Sequence, residues 1–266
     1  MTSVRRIIPL TLGWERLPKA YSVHGDTSGE VLTEPVGAIL LDTDDGWSLI
    51  DTGFNTVLMR DKHLYERTHG HNHEIVPILP ETEGEPLADA LAAHGVALAD
   101  VTRIYLSHLH NDHAGALRLF DPSVPVWVQR AEYDYGMSGH PFPEHHGMFR
   151  IDYDDPRIDW HFMFGDTELA PGIRTVFTPG HTPGHQSFVI DLPDGTGYAF
   201  ACDAADLTEN IENDIGPGGF VHCDADLPRR SLLRLKAVAA EHGYPVVPWH
   251  DPVAWPAFTA ELLPTA

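Results

Sequence analysis

Apolar residues along the chain gather in short runs separated by turn-forming residues. Residues 36–41 and 47–50 are two such runs, joined by Asp44-Asp45-Gly46, a junction that predicts a β-hairpin. The hairpin leaves through Asp51-Thr52-Gly53, a tight exit. Further strands are predicted at 103–106, 124–128, 160–164, 173–177, 186–190, 198–201 and 246–249. Helical spacing appears twice. Residues 86–94 carry Leu87, Leu91 and alanines on one face, with Gly95 as a C-cap, and residues 227–242 carry Leu232, Leu235 and Val238 or Ala239, with Gly243 behind. Residues 54–83 read as polar and irregular. Residues 134–157, rich in Gly, Pro, His and aromatics, read as a long functional loop. Strand groups on both sides of a helical segment predict a mixed α/β architecture, two sheets with helices outside. No repeat or low-complexity linker divides the chain, so residues 1–266 are expected to form one domain.

Charge narrows the partners. The formal charge is −22, from 17 basic and 39 acidic side chains. Such a surface repels polyphosphate, so nucleic acid and anionic membrane are poor partners, and solvation accounts for the acidic excess. Two cysteines, Cys202 and Cys223, make neither a disulfide framework nor a zinc-finger spacing, and a reducing compartment fits them. The N-terminal apolar run is broken by Pro9 and lacks a small-residue cleavage site, which makes it a poor signal peptide. No stretch approaches the ~18 apolar residues of a transmembrane helix. The expected setting is the cytoplasm and the expected partner a small molecule.

Histidine is anomalous: 18 histidines exceed the 17 lysines and arginines. The stretch SHLHNDHAG, residues 107–115, places His108, His110, Asp112 and His113 directly behind an apolar strand. In extended chain, residues two apart point the same way, so His108 and His110 converge on one point. Asp112 and His113 follow where Asn111 and Gly115 suit a turn, and they form a second pair. Imidazole and carboxylate together suit zinc and related metals. Three other strand ends offer a ligand: His181, in the rigid turn TPGHTPGH; Asp203; and His250.

The order His-x-His-x-Asp-His, Gly-His-Thr-Pro-Gly-His, a strand-end Asp and a strand-end His resembles the signature of the metallo-β-lactamase superfamily, over about residues 36–251. Within it, Thr178 to Ser187, Val128-Gln129-Arg130-Ala131-Glu132-Tyr133, Asp203-Ala204-Ala205 with Glu209-Asn210, and His250-Asp251 are similar to the N-acyl homoserine lactonases. The resemblance implies an αββα sandwich with a dinuclear site at its edge. One metal takes His108, His110 and His181, the other takes Asp112, His113 and His250, and Asp203 bridges them. Zinc is the expected metal, with iron, cobalt or manganese as substitutes, and a homodimer is a further implication. In one place the chain departs from those lactonases: they carry a tyrosine three residues after the bridging aspartate, where this chain has Asp206.

Two metals sharing a site lower the pKa of water to about 7 and polarise a carbonyl. The expected reaction is hydrolysis of a lactone, an N-acyl homoserine lactone above all, or of another lactone or carboxylic or thioester. Asp112 is the candidate for carrying a proton to the leaving alkoxide, and Asp203 is the second catalytic candidate. Asp51 either orients a ligand imidazole or closes the hairpin exit. His185 is expected to support the site or form the turn rather than bind metal. His69, His71 and His73 are expected in a solvated loop, and His145 and His146 in the long loop. Cys202 is expected to be a core thiol on a strand. Trp14, Leu17, Tyr21, Phe142, Met148 and Phe149 are candidates for an acyl-tail wall. Glyoxalase II is disfavoured because only sixteen residues follow His250. β-Lactamases of the superfamily lack the bridging aspartate, and its nucleases need a basic surface and extra domains. A mononuclear iron persulfide dioxygenase is the rival of another class.

Overall fold

A computed structural model describes residues 2–139, 147–219 and 224–263. The expectations for Phe142, His145, His146 and Cys223 lie outside the described residues. Twelve strands are described: β1 (Val4–Pro18), β2 (Val31–Thr43), β3 (Gly46–Ile50), β4 (Val76–Ile78), β5 (Val101–Tyr105), β6 (Val126–Gln129), β7 (Trp160–Met163), β8 (Thr167–Ala170), β9 (Ile173–Phe177), β10 (Gln186–Asp191), β11 (Gly197–Phe200) and β12 (Val246–Val247). The described α-helices are α1 (Thr56–Arg60), α2 (Lys62–Thr68), α3 (Pro86–Ala93), α4 (Asn111–Ala114), α5 (Arg130–Gly136), α6 (Thr208–Asn213), α7 (Leu227–His242) and α8 (Ala254–Leu262).

The strands form a seven-stranded sheet, ordered β4-β1-β2-β3-β5-β6-β7, and a five-stranded sheet, ordered β12-β11-β10-β9-β8. Side chains alternate across each strand. Ile39 and Leu41 therefore point between the sheets and meet Phe188, Ile190 and Phe200, while Leu40 points outward with Leu49 onto Leu87 and Leu91 of α3. On the far side, Val176, Val189 and Ala199 pack against Leu232, Leu235 and Ala239 of α7. The layers are thus helix, sheet, sheet, helix, as expected. Leu40, Leu41 and Leu49 are completely buried, and truncating any one to Ala costs about 2–5 kcal/mol.

Strand direction decides where chemistry can gather. β3, β5, β6 and β7 run parallel, so β3, β5 and β6 end at one edge. β9 and β11 are both antiparallel to β10, and β12 is parallel to β11, so these three also share a direction. Ligands in open α/β sheets bind beyond carboxyl ends of strands, and here Asp51, His108, His181, Asp203 and His250 all follow such ends.

Several local expectations change. The N-terminal run is not an interrupted segment but the 15-residue β1. At Pro9 it pairs with Ile39 of β2 on one side, while β4 covers its other side only at Trp14–Arg16. Pro9 therefore lies where β1 is paired on one side only, a place that tolerates a proline. Residues 54–83 hold two short helices, each started by a side chain accepting backbone N–H groups: Asn55 from Val57, and Asp61 from His63 and Leu64. The last strand is only β12, and β4, β8, α6 and α8 were not expected. In 134–157, α5 continues to Gly136.

Candidate metal centre

Beyond β5 the chain stays extended, so Leu109 enters the core while His108 and His110 turn to the other side, their rings 4.5 Å apart. The single turn of α4 then presents Asp112 and His113. This turn docks on the hairpin exit through Thr52 N–H to the His113 carbonyl, 2.7 Å, and Ala116 N–H to the Gly53 carbonyl, 3.1 Å. Gly115 makes the docking possible: a Cβ there would lie 2.3 Å from the Asn55 nitrogen.

A second loop, between β9 and β10, carries His181. Glu132 of α5 ties it to the first loop. Its fully buried carboxylate accepts the Leu109 N–H at 3.0 Å, the Thr182 hydroxyl at 2.7 Å and the Gly184 N–H at 2.9 Å. Burial pushes the Glu132 pKa up to about 7, against those three hydrogen bonds.

The expected ligands come together in two sets. His108, His110, His181 and Asp203 form one, and Asp112, His113 and His250 the other, with the ligand atoms of each set within 4.8 Å of one another. Asp203 lies between them. Its Oδ2 is 3.2 Å from His181 Nε2 and 3.6 Å from His108 Nε2, and its Oδ1 is 3.2 Å from His113 Nε2 and 3.3 Å from His250 Nε2. Asp112 Oδ2 is 3.1 Å from His113 Nε2.

The donor set fits bound cations. His181 Nδ1 donates to the Gly219 carbonyl at 2.7 Å, His250 Nδ1 to the Pro35 carbonyl at 2.8 Å, and His113 Nδ1 to Asp51 Oδ2 at 2.8 Å. A neutral imidazole has one N–H, so the opposite Nε2 atoms carry lone pairs. Those lone pairs face carboxylate oxygens and one another, an arrangement that needs a positive charge at its centre. The Nε2 atoms of His108 and His113 are buried without a hydrogen-bond partner. Titration shows the same demand for positive charge, met by protons on two of the rings. Burial holds His108 and His110 well below the ordinary imidazole value, helped by neighbouring imidazoles. Burial also opposes charging of His113 and His250, but the aspartates outweigh it, raising His113 well above its ordinary value and His250 to about 10.

Asp51 has the left-handed φ of 60° and is fully buried. Besides His113 it accepts the Ser107 N–H and Ser107 hydroxyl, both at 2.7 Å. It therefore both orients an imidazole and closes the hairpin exit. His185 is no member of either set: its Nε2 accepts the Asp203 N–H at 3.0 Å and its ring meets Thr178. Cys202 is a fully buried core thiol as expected, but it sits in a 3-10 turn with φ 47°, not on a strand.

A cavity of about 380 Å³ opens beside the ligands. Leu17, Tyr21 and Phe149 line it, as do Glu15, Glu34, His69, His71 and Asp206. His73 is exposed as expected and His71 is exposed on the cavity wall, but His69 is half-buried rather than in open solvent. It stacks on Tyr65 and edges onto Phe149, which gives its ring an apolar seat. Met148 is fully buried in the core and Trp14 is partly exposed, and neither lines the cavity. Sequence reasoning missed the roles of Ser107, Glu132, Glu15 and Glu34. The strand register alone joins the last two.

A family model for the metallo-beta-lactamase superfamily matches residues 33–241. The chain belongs to this superfamily. Its fold, its two ligand sets and its similarity to curated lactonases make it a metal-dependent hydrolase. It is similar to an N-acyl homoserine lactonase from a Bacillus species, 34% identical over 226 residues that cover 85% of this chain and 84% of the relative. Among solved structures it is similar to a mutant AiiA of B. thuringiensis with N-decanoyl-L-homoserine at the active site, with TM-score 0.81, 29% identity and 95% of each chain covered. It is equally similar to an N-acyl homoserine lactone hydrolase with the product N-hexanoyl-L-homoserine at its catalytic metal center, again with TM-score 0.81, 29% identity and 95% of each chain covered. Among the described residues, no helix of this superfamily member is long and apolar enough to cross a membrane.

Proposed function

We propose that this chain hydrolyses the ring ester of N-acyl homoserine lactones. In this reading His108, His110 and His181 would hold one divalent cation and Asp112, His113 and His250 a second, with the Asp203 side chain lying between the two sets. The observation that carries it is the Asp203 carboxylate, with one oxygen facing each set of imidazoles. Its support from outside the chain is the product found at the metal center of a structural neighbour.

Two bound divalent cations supply an ionised water at neutral pH and polarisation of the carbonyl. The chain's own groups do the rest. The three N–H bonds from His181, His250 and His113 fix which nitrogen each ring offers. Asp112, on the cavity wall, accepts a proton as water ionises and returns it to the ring oxygen as the C–O bond breaks. Water and ester thus become acid and alcohol with no further reactant. Zinc suits the mixed imidazole and carboxylate set. The cytoplasm, a homodimer and one domain over residues 1–266 complete the proposal. Asp206 favours a second reading, another lactone or a carboxylic or thioester, because a carboxyl group, held well above its ordinary pKa by burial and by Asp203, stands where those lactonases carry a phenol.

The test is metal content per purified chain, followed by acid release from lactones, esters, thioesters and β-lactams. Two metals per chain with lactone turnover are expected. Asp203→Ala abolishes turnover, whereas His73→Ala, at an exposed loop position, leaves it near wild type. One iron per chain, with oxygen consumed on a persulfide, overturns the proposal.

A further inference from the structure

His185 is a buried side chain that the proposed hydrolysis does not use, and its hydrogen bonds run in one direction only. Its Nε2 accepts the Asp203 N–H at 3.0 Å, and its Nδ1 lies 2.9 Å from the Thr178 hydroxyl and 3.1 Å from the Thr178 carbonyl. A backbone N–H only donates, so Nε2 carries the lone pair and Nδ1 the proton. The far end requires the same direction independently. A carbonyl only accepts, so the Ser187 hydroxyl gives its one proton to the Ala201 carbonyl, 2.8 Å away. The Ser187 oxygen therefore receives the Thr178 hydroxyl at 2.9 Å, and the Thr178 oxygen receives the N–H of His185 Nδ1. All three side chains are fully buried, so water does not compete for these bonds.

The two ends of this chain of bonds are almost adjacent in sequence. Ala201 and Asp203 flank Cys202, whose φ of 47° is left-handed, a conformation that a residue other than glycine keeps only where its surroundings hold it. Ser187 of β10, with Thr178 and His185 of the loop between β9 and β10, thus closes a ring of hydrogen bonds around the strained residue. Cys202 is also where the chain turns out of β11 toward the ligand sets. The next residue, Asp203, has one carboxylate oxygen facing each set. Asp51 and the carbonyls of Gly219 and Pro35 each fix a single imidazole from behind. The Asp203 carboxylate meets imidazoles in both directions, so its aim depends on its backbone, and the side chain that holds its backbone N–H is His185.

We propose that His185 is a positioning residue for Asp203: with Thr178 and Ser187 it holds the Cys202 turn, and through the Asp203 N–H it sets the carboxylate that serves both ligand sets at once. The inference rests on reading those sets as metal sites, and it adds a residue that belongs to neither set and does not line the cavity. It also separates His185 from Asp51. A partner of one imidazole supports its own set, whereas a partner of Asp203 supports both.

Two measurements on the full chain test this, and neither needs a lactone. In the metal-free protein, long-range proton–nitrogen NMR spectra of the imidazoles should show His185 protonated at Nδ1 and bare at Nε2, with its signals assigned by their loss in His185→Gln. A proton on Nε2 overturns the proposal. Cobalt titration against a competing chelator should give two binding steps. His185→Phe keeps a flat ring but accepts no N–H, and it should weaken both steps by about tenfold or more. His185→Gln, whose carboxamide can accept from Asp203 and donate to Thr178, should recover most of that loss. Val189→Ala, a core truncation in β10, should lower the melting temperature yet leave both steps near wild type. If His185→Phe does not fold, Thr178→Val carries the test: it keeps the side-chain shape, removes the hydroxyl link and should weaken both steps by about threefold. No change in Thr178→Val overturns the proposal. So do equal losses in His185→Phe and His185→Gln, or in His185→Phe and Val189→Ala. Weakening confined to the His108–His110–His181 set also overturns it, because His185 would then only pack against His108 and His181, whose ring centroids lie 5.3 and 6.0 Å away. A chain that binds cobalt in the expected pattern but cleaves no lactone, ester or thioester sinks the hydrolase reading and leaves the role of His185 standing.

Discussion

Asp51 Oδ2 and His113 Nδ1 are 2.8 Å apart, both in side chains with no exposed surface. The contact joins the end of β3 to the turn after β5, and it leaves His113 Nε2 to face Asp112 and Asp203. Partners of this kind typically contribute 10–100-fold to metal affinity. Asp51→Ala is expected to weaken binding at the Asp112–His113–His250 set by about that factor while largely sparing the other set. Cobalt titration against a competing chelator, with two resolvable binding steps, checks it. Equal weakening at both sets would show a general loosening of the fold instead.

Glu132 joins the two ligand loops through one carboxylate. In Glu132→Gln the new NH2 group must oppose either the Leu109 N–H or the Gly184 N–H. One buried donor is then left unsatisfied, at a cost of about 1–3 kcal/mol. The variant should melt at lower temperature and bind cobalt more weakly at the set containing His108, His110 and His181. Unchanged melting and affinity would remove Glu132 from the support of the site.

Asp152 supplies a pH effect away from the ligands. Burial drives its pKa up to about 7, while the hydrogen bond from Asn55 and the charge of Arg118 pull it down. Between the ordinary carboxyl value and about 7 the folded chain keeps a proton that the unfolded chain has lost. Stability from this group is therefore present at low pH, falls as pH rises through that window, and is flat above it. Asp152→Asn keeps the acceptor for Asn55 and has no proton to lose. Its stability relative to wild type should rise between pH 5 and 7.5, by at most about 2.7 kcal/mol. Denaturant midpoints at the two pH values measure it, and a constant difference would contradict it.

Gly115→Ala places a methyl group against the Asn55 nitrogen and the Phe54 carbonyl carbon, backbone atoms that have no rotamer to yield. A loss of about 1–3 kcal/mol is expected, with weaker metal binding because α4 must lift from the hairpin exit. A melting curve matching wild type would show that the exit gives way without cost.

The site was legible because each ligand directly follows an apolar run, and strand ends are where an α/β sheet places its chemistry. His108 and His110 were readable from alternation alone. β1 was not, because both of its faces are largely covered along Ile7–Leu10 and its Pro9 looks like a break until the neighbouring strands are known. The short helices after Asn55 and Asp61 have cap residues but little apolar periodicity. Glu15 and Glu34 belong together only through register, a relation between distant residues that no local pattern carries. His69 was misread because its apolar seat is built by Phe149, eighty positions away.

Each of the two ligand sets draws members from both sheets. His108 and His110 come from the end of β5 and meet His181 and Asp203 from the other layer, and Asp112 and His113 meet His250 in the same way. Cations there are rivets through the sandwich as well as reagents. Anything that binds only the folded form raises its stability with concentration. A chelator should therefore act on this molecule as a denaturant, and its melting temperature should follow the free metal level in the buffer.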